Sequence, residues 1–355
     1  MKKTLPRRLF QMSLFGILLL ATAACDASNE ADDACEDFQT CHVVDPLRVT
    51  LIEDSTRPPA NVSVLFKVDT DDEKPVANLT SSDFDIFENR QLVSPFEADL
   101  TILPKTGQFQ YSIILLLDLS GSILASESLD PLKEAARRFV EALVAPSDDV
   151  GYGEIELGIW WFDGRADLDS LVAFEIDPDA LKEAVGEINE DMTVDNSTNL
   201  YGAVVQGLEL AGQRVTALRR KEVVAAGSVV LFTDGTDQAN RVSRSDALRA
   251  VGRAGQDLSV YTIGLGGEID DETLQAIGVD GFASAANFEE LVPKFQEIAR
   301  LVRNEAGSYY LLEYCSPKRD GNNELGIRVN DGEDAGVLTT QFSAAEFTSG
   351  CRVSE

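Results

Sequence analysis

The sequence predicts an α/β fold, a doubly wound and mainly parallel sheet, inserted into a β-sandwich formed by the N- and C-terminal flanks. Three observations predict it. Between about residues 108 and 306, unbroken apolar runs alternate with helical stretches; such runs are strands buried on both faces, and helices must cover them. Over residues 47–103 the hydrophobic period is two instead, the mark of strands with one buried face. After Gly307, strand patterns return without an obvious core of their own, so they complete the sandwich begun by the N-terminal flank.

In the N-terminal flank, Leu47, Val49 and Leu51 alternate with Arg48 and Thr50. Val62, Val64, Phe66 and Val68 alternate with Ser63, Leu65 and Lys67, and Phe84 and Ile86 precede a turn at Asn89-Arg90. The acidic run Asp69-Thr70-Asp71-Asp72-Glu73 is read as a solvated turn rather than a Ca²⁺ loop, because no glycine-spaced ligand pattern accompanies it.

In the central region, strands are expected over 112–117, 155–162, 171–174, 229–232, 258–263 and 282–285. Helices are expected over 131–144, 179–188, 200–218, 243–254 and 288–302. The first places Leu132, Ala135, Ala136, Phe139, Val140 and Leu143 on one face, and Ser243 is positioned to cap the fourth. Trp160 and Trp161 fall on a strand as core and sheet-face residues. The C-terminal strands, 309–314, 325–329 and 337–342, are separated by the turn signals Asp320-Gly321-Asn322 and Asp331-Gly332.

The first residues are an address rather than part of the fold. Lys2, Lys3, Arg7 and Arg8 precede an apolar stretch over 9–24, shorter than the ~20 residues of a spanning helix. It ends in Ala21-Thr22-Ala23-Ala24-Cys25, the small-residue pattern of signal cleavage. Cleavage after Ala23 would release a secreted protein. Cleavage before Cys25 resembles a bacterial lipoprotein box, with Thr22 in place of the usual larger aliphatic residue. The chain has five Cys, an odd number for an exported protein. With lipid on Cys25, four remain: Cys35, Cys41, Cys315 and Cys351, enough for two disulfides in an oxidising compartment.

The expected organisation is therefore a signal peptide at 1–24, a lipidated Cys25 with an acidic tether to residue 45, sandwich strands over 46–107, the α/β domain over 108–306 and closing strands over 307–355. The tether is too polar to fold alone; Cys35 and Cys41 would close a small loop in it, and Cys315 with Cys351 a loop in the C-terminal part. The location implied is the bacterial cell envelope, periplasmic or at the surface.

Net charge is −31, and removing residues 1–24, with four basic and no acidic side chains, leaves −35 on 331 residues. Nucleic acid is an unsuitable partner, because phosphate binding needs a basic surface. Solubility accounts for the charge, and it would also attract cations.

Two short runs stand out. Asp118-Leu119-Ser120-Gly121-Ser122 follows one buried strand, and Thr233-Asp234-Gly235 follows another. Between them, Thr198 precedes the helix that begins near Leu200. In an open α/β sheet, ligands bind beyond the carboxyl ends of the strands. Alternate residues of an extended turn offer oxygens to one ion, and Mg²⁺ and Mn²⁺ prefer oxygen ligands; Ca²⁺ is a further candidate. Neutral hydroxyls leave the ion with excess positive charge, so it should seek a carboxylate from a partner.

These residues resemble the metal-ion-dependent adhesion site of von Willebrand factor type A domains, whose five positions Asp118, Ser120, Ser122, Thr198 and Asp234 match. The resemblance covers about 108–306. It implies direct metal ligation by the two Ser and the Thr, with the two Asp often acting through water, and recognition of an acidic side chain on a protein partner. Residues 288–302 occupy the place of the family's mobile last helix. Residues 75–88 and 309–314 are similar to segments flanking the domain in bacterial exported "VWFA-related" proteins.

Catalysis is not expected. A Ser nucleophile needs a base, and the single His, His42, lies in the tether. Gly264-Leu265-Gly266-Gly267 is a tight turn rather than a dinucleotide fingerprint. Asn61, Asn78 and Asn196 begin glycosylation sequons that would matter only in a eukaryote. The function expected is metal-dependent protein binding on the envelope. The alternative is an envelope assembly factor in which the metal is only structural.

Overall fold

The computed structural model describes residues 47–94, 101–102, 109–124, 129–149 and 151–351. The signal segment, Cys25, Cys35, Cys41, His42 and the acidic tether lie outside the described residues. The N-terminal flank supplies β1 (Leu47–Arg57), β2 (Asn61–Thr70), β3 (Phe84–Glu88), β4 (Gln91–Leu92) and β5 (Thr101–Ile102). The central region runs through β6 (Phe109–Asp118), α1 (Gly121–Leu124), α2 (Leu129–Leu143), β7 (Ile155–Phe162), β8 (Asp169–Glu175), α3 (Pro178–Gly186) and α4 (Leu200–Arg219). It continues with β9 (Val224–Thr233), α5 (Arg244–Val251), β10 (Leu258–Leu265), α6 (Asp271–Ile277), β11 (Gly281–Ala285) and α7 (Leu291–Ala306). The C-terminal flank adds β12 (Tyr309–Cys315), β13 (Asn322–Asn330) and β14 (Ala335–Ser343).

The central sheet has the order β11-β10-β9-β6-β7-β8. Its pairings are parallel except β7 with β8. Strand β6 shows why its sequence reads as an unbroken apolar run. Ile113, Leu115 and Leu117 pack with Phe139 of α2 and Phe295 of α7. Ile114 and Leu116 turn the other way, onto Leu200 and Ala203 of α4. Both faces are covered, and each such side chain contributes ~1.5–3 kcal/mol of burial.

The flanks form two antiparallel four-stranded sheets, β1-β2-β12-β5 and β14-β13-β3-β4. Val64, Phe66, Tyr310 and Leu312 of the first face Ile86 and Ile327 of the second. The chain thus adopts the expected α/β architecture flanked by sheets from both ends. Leu65 departs from the simple alternation. It is buried with Tyr309 and Leu311 in the core of the central region, because the outer face of the first sheet is covered by the α/β part. The disulfide Cys315–Cys351 ties β12 to the C-terminal segment.

A polar clasp joins the two parts. Lys67 Nζ of β2 lies 2.8 Å from Glu305 Oε1 of α7 and 3.1 Å from Asp69 Oδ1. Ser259 Oγ of β10 donates to the same Glu305 oxygen at 2.9 Å. Burial opposes the Lys67 charge, but Glu305 and Asp69 outweigh it and raise the amine above its usual range.

Several local expectations shift. Helix α6 was not anticipated; it is only seven residues long, and its signal is the cap Asp270, whose Oδ1 accepts from the Thr273 amide at 3.1 Å. The last helix begins at Leu291, after a 3₁₀ turn over Phe288–Glu290. The acidic run departs from a wholly solvated turn: Asp69 and Thr70 end β2, with Asp69 buried beside Lys67, and only residues 71–73 form an exposed turn, in which Glu73 pairs with Arg48 at 2.8 Å. Gly266, with φ +83°, makes the turn after β10. Among the described residues no helix is long and apolar enough to cross a membrane.

Candidate functional site

Strands β6 and β9 are neighbours, with Leu117 opposite Phe232, so their carboxyl ends open onto one rim. Asp118, the last residue of β6, is fully buried. Its Oδ1 accepts from the Ser120 amide at 3.0 Å, and its Oδ2 from the Thr233 hydroxyl at 2.6 Å. Past it, Ser120 is buried and Ser122 exposed, their hydroxyls 3.3 Å apart. Ser122 Oγ donates to Asp234 Oδ1 at 2.9 Å. A short chain of oxygens therefore runs from Ser120 through Ser122 to Asp234, above the Asp118 carboxyl.

Thr198 reaches the same rim from the segment before α4. It is buried, and its carbonyl accepts the amides of Gln238 and Ala239 at 2.9 and 3.0 Å. Its hydroxyl would stand 3.9 Å from a Cβ added at Gly235. All five residues singled out in the sequence thus border one rim.

The electrostatics of this rim are unusual. Burial, then the nearby Asp234 carboxylate, push the Asp118 carboxyl up to about 7, against the donors Thr233 and Ser120. Burial likewise raises Asp234, with Glu268 adding to the effect. No cationic side chain pairs with Asp118 or Asp234 among the described residues. A buried carboxyl without a counter-charge, beside neutral hydroxyls, is the environment a divalent cation would stabilise. The donor set fits a hard ion: two carboxyls and three hydroxyls, with no sulfur or imidazole. No group of three or more His, Cys, Asp or Glu placed to hold a metal exists among the described residues. Any ion here would therefore depend on the hydroxyls.

Two residues given no role in the sequence reading support the rim. Thr233 was quoted only as part of a motif, yet it is the side-chain donor to Asp118. Asp163 is fully buried just past β7. It accepts from the amides of Arg165, Val194 and Asp195 at 2.8, 3.1 and 3.2 Å. Burial opposes its ionisation, but these amides outweigh burial and hold it below the usual carboxylate range. Asp163 thereby shapes the segment leading to Thr198. An Asp directly after a third buried strand, as at 118 and 234, was the available signal.

The family model of the von Willebrand factor type A domain matches residues 112–302, and the chain belongs to that family. No curated protein sequence matches it. Similar solved structures include a von Willebrand factor type A protein from Catenulispora acidiphila, at 12% identity and TM-score 0.46, covering 86% of this chain and 74% of that one. Proximal thread matrix protein 1 from the mussel byssus, with its MIDAS motif occupied by zinc, aligns at 17% identity and TM-score 0.44, over 55% of this chain and 48% of its own. The vWF domain of the type V pili tip protein Mfa5 from Porphyromonas gingivalis aligns at 11% identity and TM-score 0.40, over 54% of this chain and 94% of that domain. The alignment thus spans about half the length of the mussel protein.

Proposed function

We propose that this protein binds a protein partner through a divalent cation, Mg²⁺ or Mn²⁺, held at the rim as a metal-ion-dependent adhesion site. Asp118, Ser120, Ser122, Thr198 and Asp234 would hold the ion. The observation that carries this reading is Asp118: fully buried, raised to about 7, and without a cationic partner beside two serine hydroxyls. The bound ion supplies an electrophilic coordination position for a carboxylate of the partner. This chain's own residues hold the ion, position it at an exposed rim through Ser122, and leave its charge only partly neutralised. The role is binding rather than catalysis. Anchoring through a lipid on Cys25 would place this surface on the bacterial envelope.

The test is calorimetric titration of Mg²⁺ and Mn²⁺ into the chelator-stripped full chain, beside Asp118→Ala and Ser122→Ala. Single-site binding lost in both variants, with both still folded by circular dichroism, is the expected result. Equal binding by the parent and the exposed-site variant Ser122→Ala would sink the assignment. For the anchor, Cys25→Ser should move the protein from the membrane fraction to the soluble one.

A further inference from the structure

We infer that Asp237 is a positioning residue of the rim: it caps α4 from the neighbouring loop and so sets Thr198 against Asp234 before any ion arrives. This rests on the metal-dependent reading above and adds a residue to it.

Helix α4 starts without a cap of its own. Asn199 stands at its N-cap position, a residue type suited to bonding the amides of the first turn, yet its side chain makes no such bond. Asn199 Nδ2 donates instead to the Arg165 carbonyl, at 2.8 Å. Gly202 makes room for that pose, since a Cβ there would stand 2.4 Å from the same nitrogen.

The missing bond comes from elsewhere in the chain. Asp237 Oδ1 accepts from the amide of Tyr201, the second residue of α4, at 3.2 Å. An N-cap side chain ordinarily serves that amide. Asp237 Oδ2 accepts from the Asn240 amide at 3.0 Å, within its own loop. Asn240 has φ +51°, a left-handed conformation that turns this loop back on itself. One half-buried carboxylate thus fastens loop to helix, and its charge suits the positive end of the helix dipole.

The same loop bonds the Thr198 carbonyl through the amides of Gln238 and Ala239. Residues 198–201 are therefore fastened at both ends to a loop that begins at Asp234. An ion shared by Thr198 and Asp234 binds tightest when the two are already in register. Without the Asp237 carboxylate, part of the binding free energy would go into ordering the start of α4.

The experiment titrates Mg²⁺ calorimetrically into the full chain and into Asp237→Ala, Asp237→Asn and Ser243→Ala, with folding checked by circular dichroism. Asp237→Ala should weaken Mg²⁺ binding roughly tenfold, the worth of one hydrogen bond to a charged acceptor. Asp237→Asn, which keeps an acceptor for Tyr201, should recover most of that loss. Ser243→Ala removes the cap of α5 and should leave Mg²⁺ affinity as it is. A metal-free readout accompanies these: in chelator, hydrogen exchange over residues 198–203 should be faster in Asp237→Ala than in the parent. If Asp237→Ala does not fold, Asp237→Ser, whose single oxygen cannot span both amides, takes its place with the same expectations. Parent-like affinity, unchanged exchange, or an equal loss in Ser243→Ala overturns the role of Asp237 while leaving the metal reading intact. A parent chain that binds no Mg²⁺ overturns both, and that result is read from the parent alone.

Discussion

The Thr233 hydroxyl donates to Asp118 Oδ2 at 2.6 Å, joining the carboxyl ends of β9 and β6 beneath the rim. With the Ser120 amide, it is one of two donors satisfying a carboxyl that has no access to water. Thr233→Val keeps the shape and removes the donor. It should lower stability by about 1–3 kcal/mol, the cost of leaving a buried acceptor short of a partner. Urea denaturation checks this, and an unchanged midpoint would show that the bond contributes nothing.

Asp118→Asn should separate stability from binding. In chelator, the parent holds a buried carboxyl without a counter-charge, whereas the amide carries none. The variant should therefore melt at or above the parent in chelator. Mg²⁺ should raise the parent's melting temperature, by ~2.7 kcal/mol of stabilisation at a hundredfold excess over Kd, and leave the variant unmoved. Scanning calorimetry at increasing Mg²⁺ distinguishes the two, and a parent insensitive to the ion would refute the prediction.

Lys67→Ala should destabilise the joint between the sandwich and the α/β part. It strands Glu305 and Asp69, carboxylates 3% and 11% exposed in their side chains. Breaking such a pair from one side costs about 3–5 kcal/mol. Adding Glu305→Gln should recover part of the loss. A double variant no more stable than the single one would count against the clasp.

Alkaline unfolding should be steep. Burial raises Tyr111, Tyr261 and Tyr309 well above 10, and pushes Tyr310 up to about 12. A folded pKa above the unfolded value gives a contribution that is complete below about pH 10 and declines as pH rises toward the folded pKa. Absorbance at 295 nm should show these phenols ionising together with loss of circular dichroism. Their titration within the intact fold, near pH 10, would contradict the prediction.

The disulfide Cys315–Cys351 closes a sequence separation of 36 residues. Chain-entropy reasoning assigns such a loop about 4 kcal/mol. Cys315→Ser with Cys351→Ser should lose stability of that order without altering Mg²⁺ affinity, since the bridge lies in the sandwich. Coupled loss of both would reveal an unexpected link to the rim.

Much of this architecture was legible locally. Strands β6 and β9 are read from their unbroken apolar runs because burial on both faces leaves no polar positions. Asp118, Ser120 and Ser122 are read from spacing, because three contacts lie within five residues of chain. Leu65 was misplaced because its covering came from residues far along the chain, around Tyr309. Asp163 escaped notice because its donors Val194 and Asp195 come from a loop thirty residues later. Helix α6 was too short for a periodic signal, and only its cap could have announced it.

The insertion of the α/β part has a mechanical consequence. The chain leaves the sandwich after β5 and returns at β12, and the start of β6 and the start of β12 lie toward the end of the sheet opposite the rim. The ten residues of β6 carry the chain from that end to the rim, about 33 Å. A pull applied at the rim passes through two covalent connections, and the return from α7 into β12 is braced by the pair of Lys67 and Glu305. The aim of the rim relative to the sandwich is then set by the molecule itself, so tension from a captured partner would reach the base of the protein as a directed load.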